Sequence, residues 1–179
     1  VTHLLAVDSG TTGVTALIID DQGAVRSRGY REFAQSFPRP GWVEHDPDHW
    51  WEALQAAVAD ALEQTGMEPA GLAGLGLTNQ RETTVVWDRA TLVPVHPAIV
   101  WQDRRTAPLC RALQDEGWEE KVRARTGLII DPYFSGTKVA WVLDQVEGAR
   151  QAAEGGRLAF GTVDSYLIAR LTGGRVHAT

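Results

Sequence analysis

The sequence predicts an α/β domain whose mixed sheet begins as an antiparallel three-strand meander and carries helices on both faces. Residues 4–7 and 14–19 are short apolar runs, the second rich in β-branched side chains, with a turn of glycine and threonine between them. Asp20, Asp21, Gln22 and Gly23 then form a turn signal, after which residues 25–33 return as a third strand. Beyond residue 46, helical and strand patterns alternate, which indicates strands interleaved with packed helices.

Taken in order, residues 37–47 hold three prolines and a glycine around Trp42 and His45, an irregular loop too apolar to be a free linker. Asp46 followed by Pro47 is an N-cap and N1 pair. Trp50, Trp51, Leu54, Ala57, Val58, Ala61 and Leu62 then share one helical face, and Gly66 is placed to end that helix. Residues 72–77 alternate leucine with alanine and glycine and read as a buried strand. Residues 83–87 and 98–101 read as further strands, separated by Pro94 and Pro97. Helices are expected over 106–116, where Pro108 is tolerable only in the first turn, and over 119–125. Ser135 is an N-cap candidate for a helix with Val139, Val142, Leu143 and Val146 on one face. Residues 158–161 are short and apolar, a helix runs from Thr162 to Leu171, and Gly173 with Gly174 ends it. The last residues read as a strand in mid-course, and the chain does not open on methionine, so it reads as part of a longer protein.

With 179 residues the chain can build one domain with a real core. Its composition, 44% hydrophobic and 22% charged, is that of a soluble globular protein, and no apolar run approaches the ~20 residues that span a bilayer. Cys110 is the only cysteine, which excludes an internal disulfide and agrees with a cytoplasmic setting. A net charge of −6 argues against a general nucleic-acid binder, although a few local donors suffice for a nucleotide.

Chemistry concentrates in loops at strand ends, where open α/β sheets bind ligands. In the first turn, Gly10, Thr11, Thr12 and Gly13 present backbone N–H groups and hydroxyls suited to phosphate oxygens. Gly10 and Gly13 are expected to use positive φ there, and Asp8 supplies the carboxylate that a hydrated Mg²⁺ takes beside a polyphosphate. The alternative is an ordinary hairpin. Arg81 and Glu82 pair a donor with an acceptor and can hold a polyol hydroxyl from both sides, or form only a surface ion pair. Trp101 can wall a small carbon skeleton or simply belong to the core. Arg104 and Arg105, just beyond it, cap or solvate the next helix. The Tyr133 phenol can hydrogen-bond a hydroxyl, or its ring can pack down on a rigid turn, with Lys138 one turn into the following helix. The five histidines are scattered, and zinc spacing, a nucleophile elbow and a Walker A sequence are all missing.

Five stretches together resemble the glycerol kinases, carbohydrate kinases of the actin-like, ribonuclease-H-like ATPase fold. They are residues 8–13, 40–47, 78–83, 130–138 and 160–164, and the likeness runs along essentially the whole chain. The resemblance implies ATP-dependent phosphorylation of glycerol to sn-glycerol 3-phosphate with Mg²⁺. It implies that Gly10, Thr11, Thr12 and Gly13 meet the ATP phosphates, with Asp8 near the metal through water. Thr15 stands where many family members carry an arginine that reaches the nucleotide, and a hydroxyl cannot replace that charge. Arg81, Glu82 and Tyr133 would hydrogen-bond glycerol, and Trp101 would flank its carbons. The family's catalytic aspartate is expected beyond Thr179, together with the adenine-side domain, so residues 1–179 are expected to form a single, incomplete N-terminal domain, inactive alone. The family's habit implies a homodimer or homotetramer. The alternatives are a kinase for a pentulose or gluconate and a non-catalytic actin-like binding module.

Overall fold

The computed structural model describes residues 1–178. Its elements are, in order, β1 (His3–Ser9), β2 (Gly13–Asp20), β3 (Val25–Glu32), β4 (Glu44–His45), α1 (Pro47–Thr65), β5 (Leu72–Asn79), β6 (Val85–Asp88) and β7 (Ala98–Ile99). There follow α2 (Ala107–Asp115), α3 (Glu119–Thr126), α4 (Ser135–Gln145), α5 (Ala149–Glu154), β8 (Leu158–Gly161) and α6 (Val163–Leu171). They divide into two compact units, one built from residues 1–35, 46–80 and 163 onward, the other from 36–45 and 81–162.

The first unit is a four-stranded mixed sheet in the order β3-β2-β1-β5. The expected meander is present: β1 and β2 pair antiparallel with Asp8 opposite Thr15, and β2 pairs antiparallel with β3. β5 lies parallel to β1 and brings Ser9 beside Asn79. Leu5, Val7, Val14, Ala16 and Ile18 form the buried face of the sheet. Helix α1 starts and stops where the caps dictate. The Asp46 carboxylate accepts from the N–H of Asp48 at 3.0 Å, Pro47 occupies the first turn, and Gly66 closes the helix in the left-handed conformation. The helix buries Trp50, Ala53, Leu54, Ala57 and Ala61, and its Trp50 ring meets Tyr166 of α6 edge to face. Backbone contact with β3 is close enough that Ser27 Oγ donates to the Ala61 carbonyl at 2.6 Å.

Three expectations change here. Residues 72–77 form a strand, but not a buried one: Leu75 is 45% exposed, because β5 is the sheet's edge and pairs only with β1. Neither Gly10 nor Gly13 adopts positive φ. What Gly13 needs is space, since a Cβ there would lie 2.6 Å from the Arg31 carbonyl oxygen on β3. Residues 175–178 follow the Gly173 and Gly174 stop without forming a strand, and Thr179 lies outside the described residues.

The second unit holds two small antiparallel pairs, β4 with β7 and β6 with β8. Bridges between Thr84 and Ile99 and between Ser36 and Glu44 extend them, so the proline-rich loop at 37–47 ends as a structured strand. Val86, Ile99 and Val142 centre its core, with Val95, Trp141, Val146 and Leu158 against them. Pro108 sits in the first turn of α2, as its missing N–H requires. Ser135 is the first residue of α4 rather than its cap; Phe134 holds the cap position and makes no side-chain capping bond. The serine hydroxyl is instead turned to Glu82. Helix α5 is short and was not legible in the periodicity.

Candidate functional site

The residues singled out from the sequence fall in both units. In the first unit, β1 ends at Ser9, and the Gly10 N–H donates to the Gly13 carbonyl at 2.9 Å to close the turn. The Phe33 N–H takes the Thr12 carbonyl at 3.2 Å, which ties the turn to the end of β3. At the same carboxyl end of the parallel pair, the Gln80 N–H donates to the Ser9 carbonyl at 2.9 Å. The turn after β1 and the segment after β5 therefore leave the sheet side by side. Asp8 and Thr12 are exposed, while Thr11 and Thr15 are partly so. Asp8, Thr15 and Thr78 form one row across the strands, since Asp8 pairs with both of the others. Ser9 Oγ and Asn79 Oδ1, on neighbouring strand ends, are buried polar atoms without a protein partner, as groups reserved for a ligand or ordered water often are.

In the second unit, Glu82, Trp101 and Tyr133 are joined through a small set of contacts. Glu82 sits at φ 65°, one of two non-glycine residues at positive φ among those described. Such a conformation is held only where the surroundings over-determine it, and it clusters at ligand sites. Ser135 Oγ donates to Glu82 Oε2 at 3.3 Å. The Trp101 N–H donates to Thr83 Oγ1 at 3.2 Å, and the Trp101 ring stands edge-on to Tyr133 with centroids 6.1 Å apart. The Tyr133 N–H donates to Asp131 Oδ1 at 2.8 Å, which folds residues 131–133 into a turn. Lys138, completely buried on α4, donates to the carbonyls of both Glu82 and Tyr133. Burial pushes its ammonium down to about 8, against the pull of Glu82, Asp103 and Asp131. Arg81 is exposed, and among the described residues no ion pair joins it to Glu82.

Beneath the Trp101 loop lies a buried charge network that sequence reasoning did not anticipate. Arg105 is not a solvated helix cap. Its guanidinium donates to both carboxylate oxygens of Asp103 and to Glu44 Oε1 at 2.8 Å. It lies 3.8 Å from the Trp42 ring and 4.6 Å from that of Trp141. Asp103 Oδ2 also accepts from the N–H of Val43 at 2.7 Å, tying the loop after β7 to the segment before β4. An apolar groove of about 400 Å³ runs between α2, α3 and α4, lined by Leu113, Trp118, Val122 and Phe134. Glu82, Trp101 and Tyr133 do not line it.

The comparison with known families decides the affiliation. Residues 3–179 match the N-terminal domain of the FGGY family of carbohydrate kinases. The chain belongs to that family. Its fold is accordingly the mixed α/β, actin-like arrangement of the FGGY kinases. Over 99% of its length it is 54% identical to glycerol kinase 2 of Thermotoga maritima, of which it covers 36%. The crystal structure of Plasmodium falciparum glycerol kinase with ADP superposes with a TM-score of 0.90 at 26% identity, over 97% of this chain and 35% of that one. A xylulose kinase from Rhodospirillum rubrum superposes with a TM-score of 0.82 at 25% identity, over 98% of this chain and 35% of that one. This FGGY chain thus spans about 36% of the length of the curated relatives it matches. Among its described residues no helix is long and apolar enough to cross a membrane.

Proposed function

We propose that this chain is the N-terminal part of a glycerol kinase that transfers the γ-phosphoryl group of ATP to glycerol, giving sn-glycerol 3-phosphate. The observation that carries the reading is the 54% identity to a glycerol kinase along 99% of the chain. Glu82 accepts from a glycerol hydroxyl, Arg81 and the Tyr133 phenol hydrogen-bond the others, and the Trp101 ring flanks the carbon chain. The turn of Gly10, Thr11, Thr12 and Gly13 faces the ATP phosphates, and Thr15 lies behind it without an arginine's charge.

The donor set fits Mg²⁺ as a phosphate-borne ion. Asp8 is a single exposed carboxylate, and no group of three or more His, Cys, Asp or Glu side chains is assembled to hold a metal among the described residues. Mg²⁺ habitually takes one or two carboxylates plus phosphates and water, so Asp8 would hold it through water. When bound, the ion neutralises charge on the phosphates. The carboxylate that accepts the glycerol proton belongs to the remainder of the full-length enzyme, as does the adenine-side domain, and residues 1–179 alone are inactive. The enzyme is cytoplasmic and assembles as a homodimer or homotetramer.

Glycerol is expected to drive ADP formation by the full-length enzyme, with xylulose and gluconate inert. The opposite selectivity would transfer the chain to another sugar kinase, and no phosphorylation of any polyol would favour a binding module. Glu82→Ala should leave the melting temperature near that of the wild type. It should lower kcat/KM for glycerol by about 10- to 150-fold, equivalent to the ~1.5–3 kcal/mol of a hydrogen bond to a charged group. Unchanged kinetics would remove Glu82 from the site.

A further inference from the structure

Lysine is scarce in this chain: 15 of its 17 basic side chains are arginines, leaving Lys121 and Lys138. Lys121 is exposed, its ammonium over the Trp118 ring. Lys138 is completely buried. Its Nζ donates to the Tyr133 carbonyl at 2.6 Å and to the Glu82 carbonyl at 2.8 Å. Those carbonyls belong to separate loops, one leading into β6 and one leading into α4. A tetrahedral ammonium can reach both from one point, whereas the planar fork of a guanidinium directs its donors otherwise.

The bond to Glu82 falls on a residue at φ 65°, a conformation that an L residue keeps only when neighbours hold it. Ser135, one turn before Lys138 on α4, donates to the Glu82 carboxylate at 3.3 Å. Backbone and side chain of Glu82 are thus both held from the same helix. The sequence places this lysine four residues before Val142 on the face that α4 turns to the core. An ionisable group there is costly unless its donors are used.

We propose that Lys138 is a positioning residue of the polyol site: its buried ammonium locks the backbones of Glu82 and Tyr133 and so sets the spacing of the two side chains that meet the substrate hydroxyls. The inference rests on the glycerol reading above. Lys138 touches no substrate; its effect passes through the two residues that do.

The test measures KM for glycerol and for ATP in the full-length enzyme, comparing wild type with Lys138→Met and Lys138→Gln. Lys138→Met keeps the apolar stem and removes the donors. Its glycerol KM should rise by about tenfold or more while its ATP KM stays within about twofold, with Lys138→Gln affected less because its amide still donates. A general packing role predicts less active enzyme with both KM values unmoved or moved together, and that result would overturn the proposal.

If neither variant folds, the wild type answers through its pH profile. The groups facing the ammonium are Glu82 before β6, Asp103 after β7 with its partner Arg105, and Asp131 and Tyr133 before α4. Since the ammonium loses its proton near 8, the glycerol KM should rise about threefold or more between about pH 7 and about pH 9, with the ATP KM flat. A flat glycerol KM would overturn the proposal. A wild type that does not phosphorylate glycerol would overturn the parent reading as well. Wild-type activity with unmoved variant constants would overturn the role of Lys138 alone.

Discussion

Replacing Arg105 by alanine is expected to destabilise the protein by about 3–5 kcal/mol, the loss that follows removal of one partner from a buried charge network. The Arg105 side chain is fully buried, Asp103 beside it is 1% exposed and Glu44 11%. Without the guanidinium, two carboxylates remain in a poorly solvated site, and Trp42 and Trp141 lose the cation beside their rings. The midpoint of urea unfolding measures the loss, and a shift below about 1 kcal/mol would show that water reaches the carboxylates in place of the arginine. Arg105→Lys should recover only part of the stability. An ammonium cannot reproduce the paired bonds to Asp103 or the guanidinium's contact with both indoles. The same loop carries Trp101, so these variants should also bind the polyol less well in whatever fraction stays folded.

Gly29→Ala is expected to cost about 3 kcal/mol or more, although it adds one methyl group. A Cβ at Gly29 would lie 1.9 Å from the carbonyl oxygen of Ala57 and 3.1 Å from its Cα. The obstacle is helix backbone, so relief requires α1 to lift from β3 as a body. That motion would also stretch the Ser27 bond to the Ala61 carbonyl and open the packing around Leu54 and Ala57. Gly29→Ala should therefore lower the thermal midpoint by several degrees, and Gly29→Val should do so further. Ala57→Gly is the informative control. It leaves the obstructing carbonyl in place and should not rescue Gly29→Ala. Rescue by Ala57→Gly would mean that side-chain volume, not backbone proximity, limits the approach.

Lys138 links stability to pH with a definite sign. In the unfolded chain a lysine keeps its proton to about 10.4. In the folded protein it holds that proton only to about 8. Below that pH the buried ammonium costs stability, and the cost is relieved as pH rises between the two values. A site that uses the charged form thus trades stability for geometry.

How much of this was legible from residues alone depends on how far each signal reaches along the chain. The cap at Asp46, the stop at Gly66, the turn at Asp20 and the proline in the first turn of α2 act over three or four residues, and all appear where the sequence placed them. Ser135 misled because a serine ahead of a helix has two uses, and its hydroxyl serves Glu82 across the fold instead of the helix end. Gly13 misled in a similar way: its lack of a side chain answers to Arg31 on β3, not to a positive φ. Lys138 left a faint trace, a charge on an otherwise apolar helical face. Arg105 left none, because two adjacent arginines look alike until one of them is buried.

By itself the sequence determined most of the strands and helices, though neither β4 nor α5, together with the loops that hold the polar groups and the family likeness, since local sterics, capping and periodicity act between near neighbours. Only the tertiary structure decided that β5 is a half-exposed edge, that Gly29 must admit a helix, that Arg105 is buried against two tryptophans, and that one lysine holds Glu82 and Tyr133 together. Those outcomes depend on which distant segments share a buried space, and desolvation and close contact act only once the chain has brought them there.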